Sequence, residues 1–216
     1  MRVSDRAYRS LREEILEGIL RPGMVLAEVE QSTRLGISRT PLREALSRLS
    51  ADGLVGSTPG RGLVVTEVST DRIDDLFRVR RALEEQAARL AAQHGDPARF
   101  TAIAAEFADA GTLLEQGDEA KRAYYDLVAR FDAEIAAAAD NPYLTQALGN
   151  LRTHLDRVRR LSKDRPDRLL AAAAEHRLIA EAIAAGDEEL AAHATHVHLH
   201  LSLRSIHAAR AAKGTP

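Results

Sequence analysis

Between Val3 and Ile19 the apolar residues Ala7, Leu11, Ile15 and Ile19 recur among charged neighbours, close to a helical period. Gly18 and Pro22-Gly23 stop the pattern. A short second helix is predicted from Glu28 to Leu35, ended by Gly36. Leu42, Ala45, Leu46 and Leu49 then fall at i, i+3, i+4 and i+7, which predicts a third helix ending near Asp52-Gly53. After it, LVGSTPGRGLVV sets two short apolar, β-branched segments around a turn at Ser57 to Gly62, a hairpin signal.

Helix, helix, helix, hairpin is the order of a winged helix-turn-helix. From about Ser69 the chain changes character and becomes alanine-rich and helical in pattern up to Pro216. Breaks fall at Gly95-Asp96-Pro97, Gly117-Asp118, Asp140-Asn141-Pro142, Arg165-Pro166 and Gly186-Asp187. Their spacing predicts six helices of roughly 18 to 25 residues, an antiparallel bundle by connection length. The expected fold is therefore mainly α: a winged helix-turn-helix over 1–68 and an all-helical domain over 69–216. Glu67 to Thr70 would be a short linker.

Composition narrows the class. The 216 residues are 45% hydrophobic and 29% charged, which suits a folded, soluble chain. No apolar run reaches the roughly 18 residues of a membrane helix. The first residues, MRVSDRAYRSLREE, lack the apolar stretch of a signal peptide. With no cysteine there is no disulfide framework, and a cytoplasmic setting is expected. The net charge of −2 argues against a uniformly basic nucleic-acid binder and leaves room for a local basic surface.

Such a surface is concentrated in GISRTPLREAL, residues 36 to 46. With Ser38 as N-cap, Arg39, Thr40 and Pro41 fill a first turn whose N–H groups have no intrahelical partner. Proline costs nothing there. The helix dipole favours acids at that end, so two arginines, Arg39 and Arg43, work against it. Projected outward with Thr40, they suit phosphates and guanine edges in a major groove. The plain alternative is a solvated basic face, and Arg61 at the hairpin tip is open to the same two readings.

In the helical half, His176 and His198 lie on either side of Gly186-Asp187, so antiparallel helices can bring them level. Asp132 sits on a third helix rich in alanine. Imidazoles plus a carboxylate form a reasonable divalent-metal site, although a lone helical histidine is more often simply hydrogen-bonded. Arg80 could clamp an organic carboxylate or pair with Glu84 one turn on. His193, His196, His200 and His207 form a separate stripe, read as solvated or interface-facing.

The segments ILEGILRPGMVLAEVE (15–30), RLGISRTPLREALSRLSADGLV (34–55) and PGRGLVV (59–65) together resemble the GntR family of bacterial transcription regulators. The resemblance implies a homodimer reading a short palindromic DNA operator, with Ser38, Arg39, Thr40, Arg43, Arg61 and Gly62 near DNA. Gln31 departs from the leucine usual in the second helix. The helical half looks like the ligand-sensing (FCD) domain of the FadR-type branch. That branch implies a small carboxylate effector and, in its metal-binding members, three histidines and an aspartate around a divalent cation such as zinc. His176 and His198 match two of the histidines. Counting back from Asn141-Pro142, the other two positions fall on Val128, where an aspartate is expected, and Asp132, where a histidine is expected. Either Asp132, His176 and His198 still hold a metal with water, or the metal is lost and an effector binds directly through Arg80, Asp132, His176 and His198. The expected function is a ligand-responsive regulator, a repressor by preference, and not an enzyme. The alternatives are a metal-dependent enzyme in the bundle and an effector-independent DNA-binding dimer.

Overall fold

A computed structural model describes residues 2–66, 73–113, 118–161 and 166–213. The expected linker Glu67 to Thr70, and with it the 68/69 boundary, lies outside these residues. The chain divides into two compact units: Met1–Thr70 with Arg152–Val158, and Asp71–Leu151 with Arg159–Pro216.

In the first unit, α1 (Val3–Leu16), α2 (Glu28–Leu35) and α3 (Arg39–Ala51) precede a hairpin of β1 (Val55–Thr58) and β2 (Gly62–Val65). The strands are antiparallel, with Val55 opposite Val65 and Thr58 opposite Gly62. Leu11, Ile15, Leu20, Leu26, Leu42, Leu46, Leu49 and Leu54 close into one core with Val55 and Val65. Ile19, expected on the buried face of the first helix, is 60% exposed. The helix ends at Leu16, and Gly18 turns the backbone to a φ of 75°, so the period is lost before Ile19 and Leu20 takes the inward place. A bridge between Val25 and Val64 adds a short third edge to the hairpin. A single bridging residue leaves no period to read in the sequence.

Polar contacts tie the unit's helices together. Arg34 on α2 forks onto Glu14 of α1 at 2.9 and 2.7 Å, and its Nε donates to Gln31 at 2.9 Å. Gln31, the departure from leucine, is 1% exposed, and this bond satisfies the polar group that burial would otherwise strand. Arg48 on α3 bonds Asp5 at 2.8 Å and lies 4.1 Å over the Tyr8 ring. Tyr8 in turn donates to Asp52.

The second unit holds α4 (Ile73–His94), α5 (Pro97–Leu113), α6 (Asp118–Ala138), α7 (Pro142–Leu161) apart from Arg152–Val158, α8 (Pro166–Ala184) and α9 (Glu188–Lys213). Their starts follow from local chemistry. Asp96 accepts from the Ala98 N–H at 3.0 Å, and Asn141 from the Tyr143 and Leu144 N–H groups at 3.1 Å. Asp187 caps α9 through the Leu190 N–H at 2.9 Å. Proline opens α5 and α7, where its missing N–H is harmless. Asp74–His207, Glu85–His196 and Arg89–Glu189 pairs at 3.1, 2.9 and 3.2 Å run antiparallel along α4 and α9. Of the histidine stripe, His196 and His207 thus meet carboxylates of α4, while His193 and His200 are exposed. Inside, Phe107 packs edge-on to Phe131 at 5.3 Å, and Phe131 to Phe100 at 6.4 Å.

Leu46 is 1% exposed at the middle of the first core. Leu46→Ala should lower stability to chemical denaturation by about 2–5 kcal/mol, read from the denaturant midpoint at unchanged slope; a loss under about 1 kcal/mol would contradict this packing.

Candidate functional site

The first candidate site is the outer face of α3. Gly36 ends α2 in the left-handed conformation with a φ of 63°, turning the chain directly into α3. Ser38 stands at the N-cap in extended geometry, but its side chain makes no capping hydrogen bond. Its hydroxyl is exposed and open to an outside partner, whereas the expected capping bond is not formed. Leu42, Ala45, Leu46 and Leu49 are buried. At about 100° per residue, Thr40, Arg43 and Ser47 therefore point away from the core. Ser38, Arg39, Thr40, Arg43 and Ser47 are all exposed, and so are Arg61 and Gly62 on the hairpin tip. The tip closes through the Arg61 N–H to Thr58 at 3.0 Å, and Gly62 has a φ of 80° that favours glycine.

Ion pairing sorts the arginines of this unit. Arg34 and Arg48 are held by Glu14 and Asp5 of α1. The Arg48 hydrogen bond holds the Asp5 carboxyl below the usual carboxylate range. Burial and the Asp52 carboxylate push the Tyr8 hydroxyl upward. Arg43 is held differently: its Nε meets the Glu28 carboxylate at 2.8 and 3.0 Å, while its side chain stays 64% exposed.

The second candidate site lies inside the helical unit. His176 and His198, 7% and 8% exposed, face each other with ring centroids 4.3 Å apart. Phe107 stacks on His176 at 5.1 Å, and Phe131 meets it edge-on at 5.9 Å. The Tyr124 hydroxyl and His176 Nδ1 share a hydrogen bond of 3.1 Å. His198 Nδ1 meets Glu175 at 2.7 Å, and Arg168 grips the same carboxylate at 2.6 and 2.7 Å while also reaching Ser202 at 2.9 Å. Two buried imidazoles are thereby oriented by a phenol on one side and a carboxylate–guanidinium pair on the other.

Of the sequence-predicted residues, the structure brings His176 and His198 together as expected. Arg80 is buried, but Glu84 takes its Nε at 2.7 Å and its Nη2 at 3.2 Å, with Phe77 stacked 4.7 Å from the guanidinium. Pairing one turn along the helix is thus the geometry present. Asp132 is half-buried. The three-ligand set Asp132, His176 and His198 does not assemble: among the described residues, no group of three or more His, Cys, Asp or Glu side chains is placed to hold a metal ion. The reason is visible in the donor chemistry. Val128, where the family pattern has aspartate, is 3% exposed in the same apolar cluster as Phe107 and Phe131. Valine has no donor atom, so the residues present do not fit the four-ligand site that the resemblance implied.

Sequence reasoning missed Tyr124, Phe107, Glu175 and Arg168. Glu175 directly precedes His176, and Tyr124 lies one helical turn before Val128 and nearly two before Phe131. That spacing puts the phenol on the face that carries Val128, a signal present in the sequence.

These two units, a winged helix-turn-helix and a helical bundle, define a two-domain transcription regulator. Residues 3–65 match the bacterial regulatory proteins of the gntR family, and residues 75–201 match the FCD domain. The chain belongs to the GntR family, in its FCD-containing class, and that family comprises transcription regulators rather than enzymes. It is 31% identical over 206 residues to an HTH-type transcriptional regulator in an unstable DNA locus of Streptomyces ambofaciens, covering 94% of this chain and 85% of that one. It is 30% identical over 164 residues to the HTH-type transcriptional repressor RspR of Escherichia coli, covering 75% and 70%. Its fold is similar to that of E. coli McbR/YncC, with a TM-score of 0.76 at 22% identity over 96% and 98% of the two chains. No helix among the described residues is long and apolar enough to cross a membrane.

The donor set leads to a direct expectation. A metal bound at 100 times its Kd would add about 2.7 kcal/mol of stability. Protein stripped with a chelator and then given zinc should keep its thermal midpoint within about 2 °C; a rise of roughly 5 °C or more would restore a metal site.

Proposed function

We propose that this chain is a ligand-responsive repressor that binds a short palindromic operator as a homodimer. Ser38, Arg39, Thr40 and Arg43 read the major groove, and Arg61 with Gly62 contact the backbone or minor groove. The observation that carries this reading is the first turn of α3. Exposed Arg39 stands there beside the hydroxyls of Ser38 and Thr40, with exposed Arg43 one turn on, although the helix dipole disfavours cations at that end. A two-fold arrangement of such helices matches a palindrome, because protein symmetry is mirrored in the half-sites. Repression is favoured by the relative RspR, which is named a repressor.

The helical domain is proposed to bind a small organic acid at the His176–His198 pair, directly and without metal. Buried imidazole N–H groups are suited to a carboxylate, and an aromatic shell excludes water around them. Arg80, whose Nε and Nη2 are held by Glu84, would add its positive charge towards an effector carboxylate. Asp132, half-buried on α6, completes the proposed set as an acceptor for an effector hydroxyl. Binding there must favour one arrangement of the domains over another in order to change operator affinity. The protein works in the cytoplasm, where operator and effector meet.

The operator reading is tested by mobility shift. Duplexes from the chain's own upstream region should be retarded by the wild type, and Arg39→Ala should cut specific affinity about ten-fold or more. Retardation unchanged by Arg39→Ala would sink the assignment of α3. For the effector, a thermal-shift panel of sugar acids and dicarboxylates should contain a ligand that stabilises the wild type and weakens its operator binding. His176→Ala should abolish both responses and leave ligand-free DNA binding within about three-fold, a margin set by the ordinary scatter of distant substitutions.

A further inference from the structure

Arg43 is the one groove-facing arginine of α3 whose guanidinium the structure shows gripped by a carboxylate from another helix. Glu28 opens α2 and Arg43 is the fifth residue of α3. Both carboxylate oxygens of Glu28 meet a single N–H of Arg43, that of Nε, at 2.8 and 3.0 Å. A guanidinium is planar, so a carboxylate on its Nε edge fixes both the plane and the direction of the remaining Nη1 and Nη2 fork. That fork is the edge that matches guanine O6 and N7.

Stability does not explain the pair. Its side chains are 64% and 34% exposed, and ion pairs so open to water contribute little to folding. A carboxylate next to a face that meets DNA is also electrostatically unfavourable, since it repels phosphate. Glu28 gains something where it stands, because acids are favoured in the first turn of a helix and α2 carries Glu28 and Glu30 there. That gain would be the same with its side chain turned to solvent. What the contact does is restrict the rotamers of a long side chain before DNA arrives, removing part of the ordering otherwise required on binding.

We propose that Glu28 is a positioning residue for sequence readout: it holds the Arg43 guanidinium with its Nη fork aimed at a base edge. The inference rests on the reading that α3 enters the major groove. It predicts opposite signs for two quantities that a merely structural or merely electrostatic role would move together. Removing the Glu28 charge should strengthen sequence-independent binding and weaken specific binding.

The experiment uses the full-length protein, the duplex it selects from a randomised pool, and a scrambled duplex of equal length. For Glu28→Ala, affinity for the selected duplex should fall about ten-fold, in the range for loss of one bidentate base contact. Affinity for the scrambled duplex should stay level or rise. Glu28→Gln, which keeps an acceptor for Nε without the charge, should recover part of the specificity. Arg43→Ala should cost the wild type about ten-fold and the Glu28→Ala background much less, since the two act as one unit. Thermal midpoints within a few degrees of wild type establish that the variants are folded. Glu28→Ala raising affinity for both duplexes alike would make Glu28 a simple repulsive charge and overturn the proposal, as would additive losses in the double variant. If the wild type selects no sequence at all, the reading of α3 falls first and this inference with it.

Discussion

Burial of the stripe Leu42, Ala45, Leu46 and Leu49 is the constraint on which the DNA-binding unit depends. Those four side chains are at most 1% exposed, and α3 has no freedom to rotate about its axis once they are packed against Leu11 and Ile15 of α1. Everything outward on α3 is then determined by the helical period. The same rotation that buries Leu46 presents Thr40, Arg43 and Ser47. The left-handed Gly36 ends α2 and turns the chain into α3. Around this core the arginines differ in their partners. Arg34 and Arg48 bridge their helices to α1, Arg43 is held by Glu28 of α2, and Arg39 and Arg61 remain on the surface.

The helical unit solves a different problem. It buries two imidazoles, and a buried polar group without partners is costly. Tyr124 answers for His176, and Glu175 for His198. Arg168 then answers for Glu175, with Ser202 beside it. The result is a chain of satisfied groups inside an aromatic wall. Such a network orients each ring through its neighbour, because each hydrogen bond restricts the torsion of both partners. Val128, where an aspartate was expected, is buried in the same apolar cluster as Phe107 and Phe131.

Much of this was legible in the chain itself. Caps and turns carry their own chemistry, so Asp96-Pro97, Asn141-Pro142 and Gly186-Asp187 announced helix boundaries that the structure places at Pro97, Pro142 and Glu188. The hairpin was equally local. Ile19 was misread because a periodic pattern does not register a left-handed glycine one residue earlier. Arg80 was open to two readings, an effector clamp or a pair with Glu84, and the Glu84 contact one turn along the helix is the one present. The Tyr124 and Glu175 contacts were not legible, since they join helices 52 and 23 residues apart, and no short-range rule pairs such positions.

The sequence by itself determined the winged-helix reader and the class of the protein, because turn glycines, a helix-opening proline and a heptad-like apolar stripe act over a few residues. It also determined, through Val128, that the four-ligand metal set is incomplete. Only the tertiary structure decided which charged groups are partnered. Glu28 and Arg43 lie 15 residues apart on different helices, and His198 reaches Glu175 across an antiparallel turn. Those pairings depend on how helices pack, and packing is fixed by the summed burial of apolar faces rather than by any local signal.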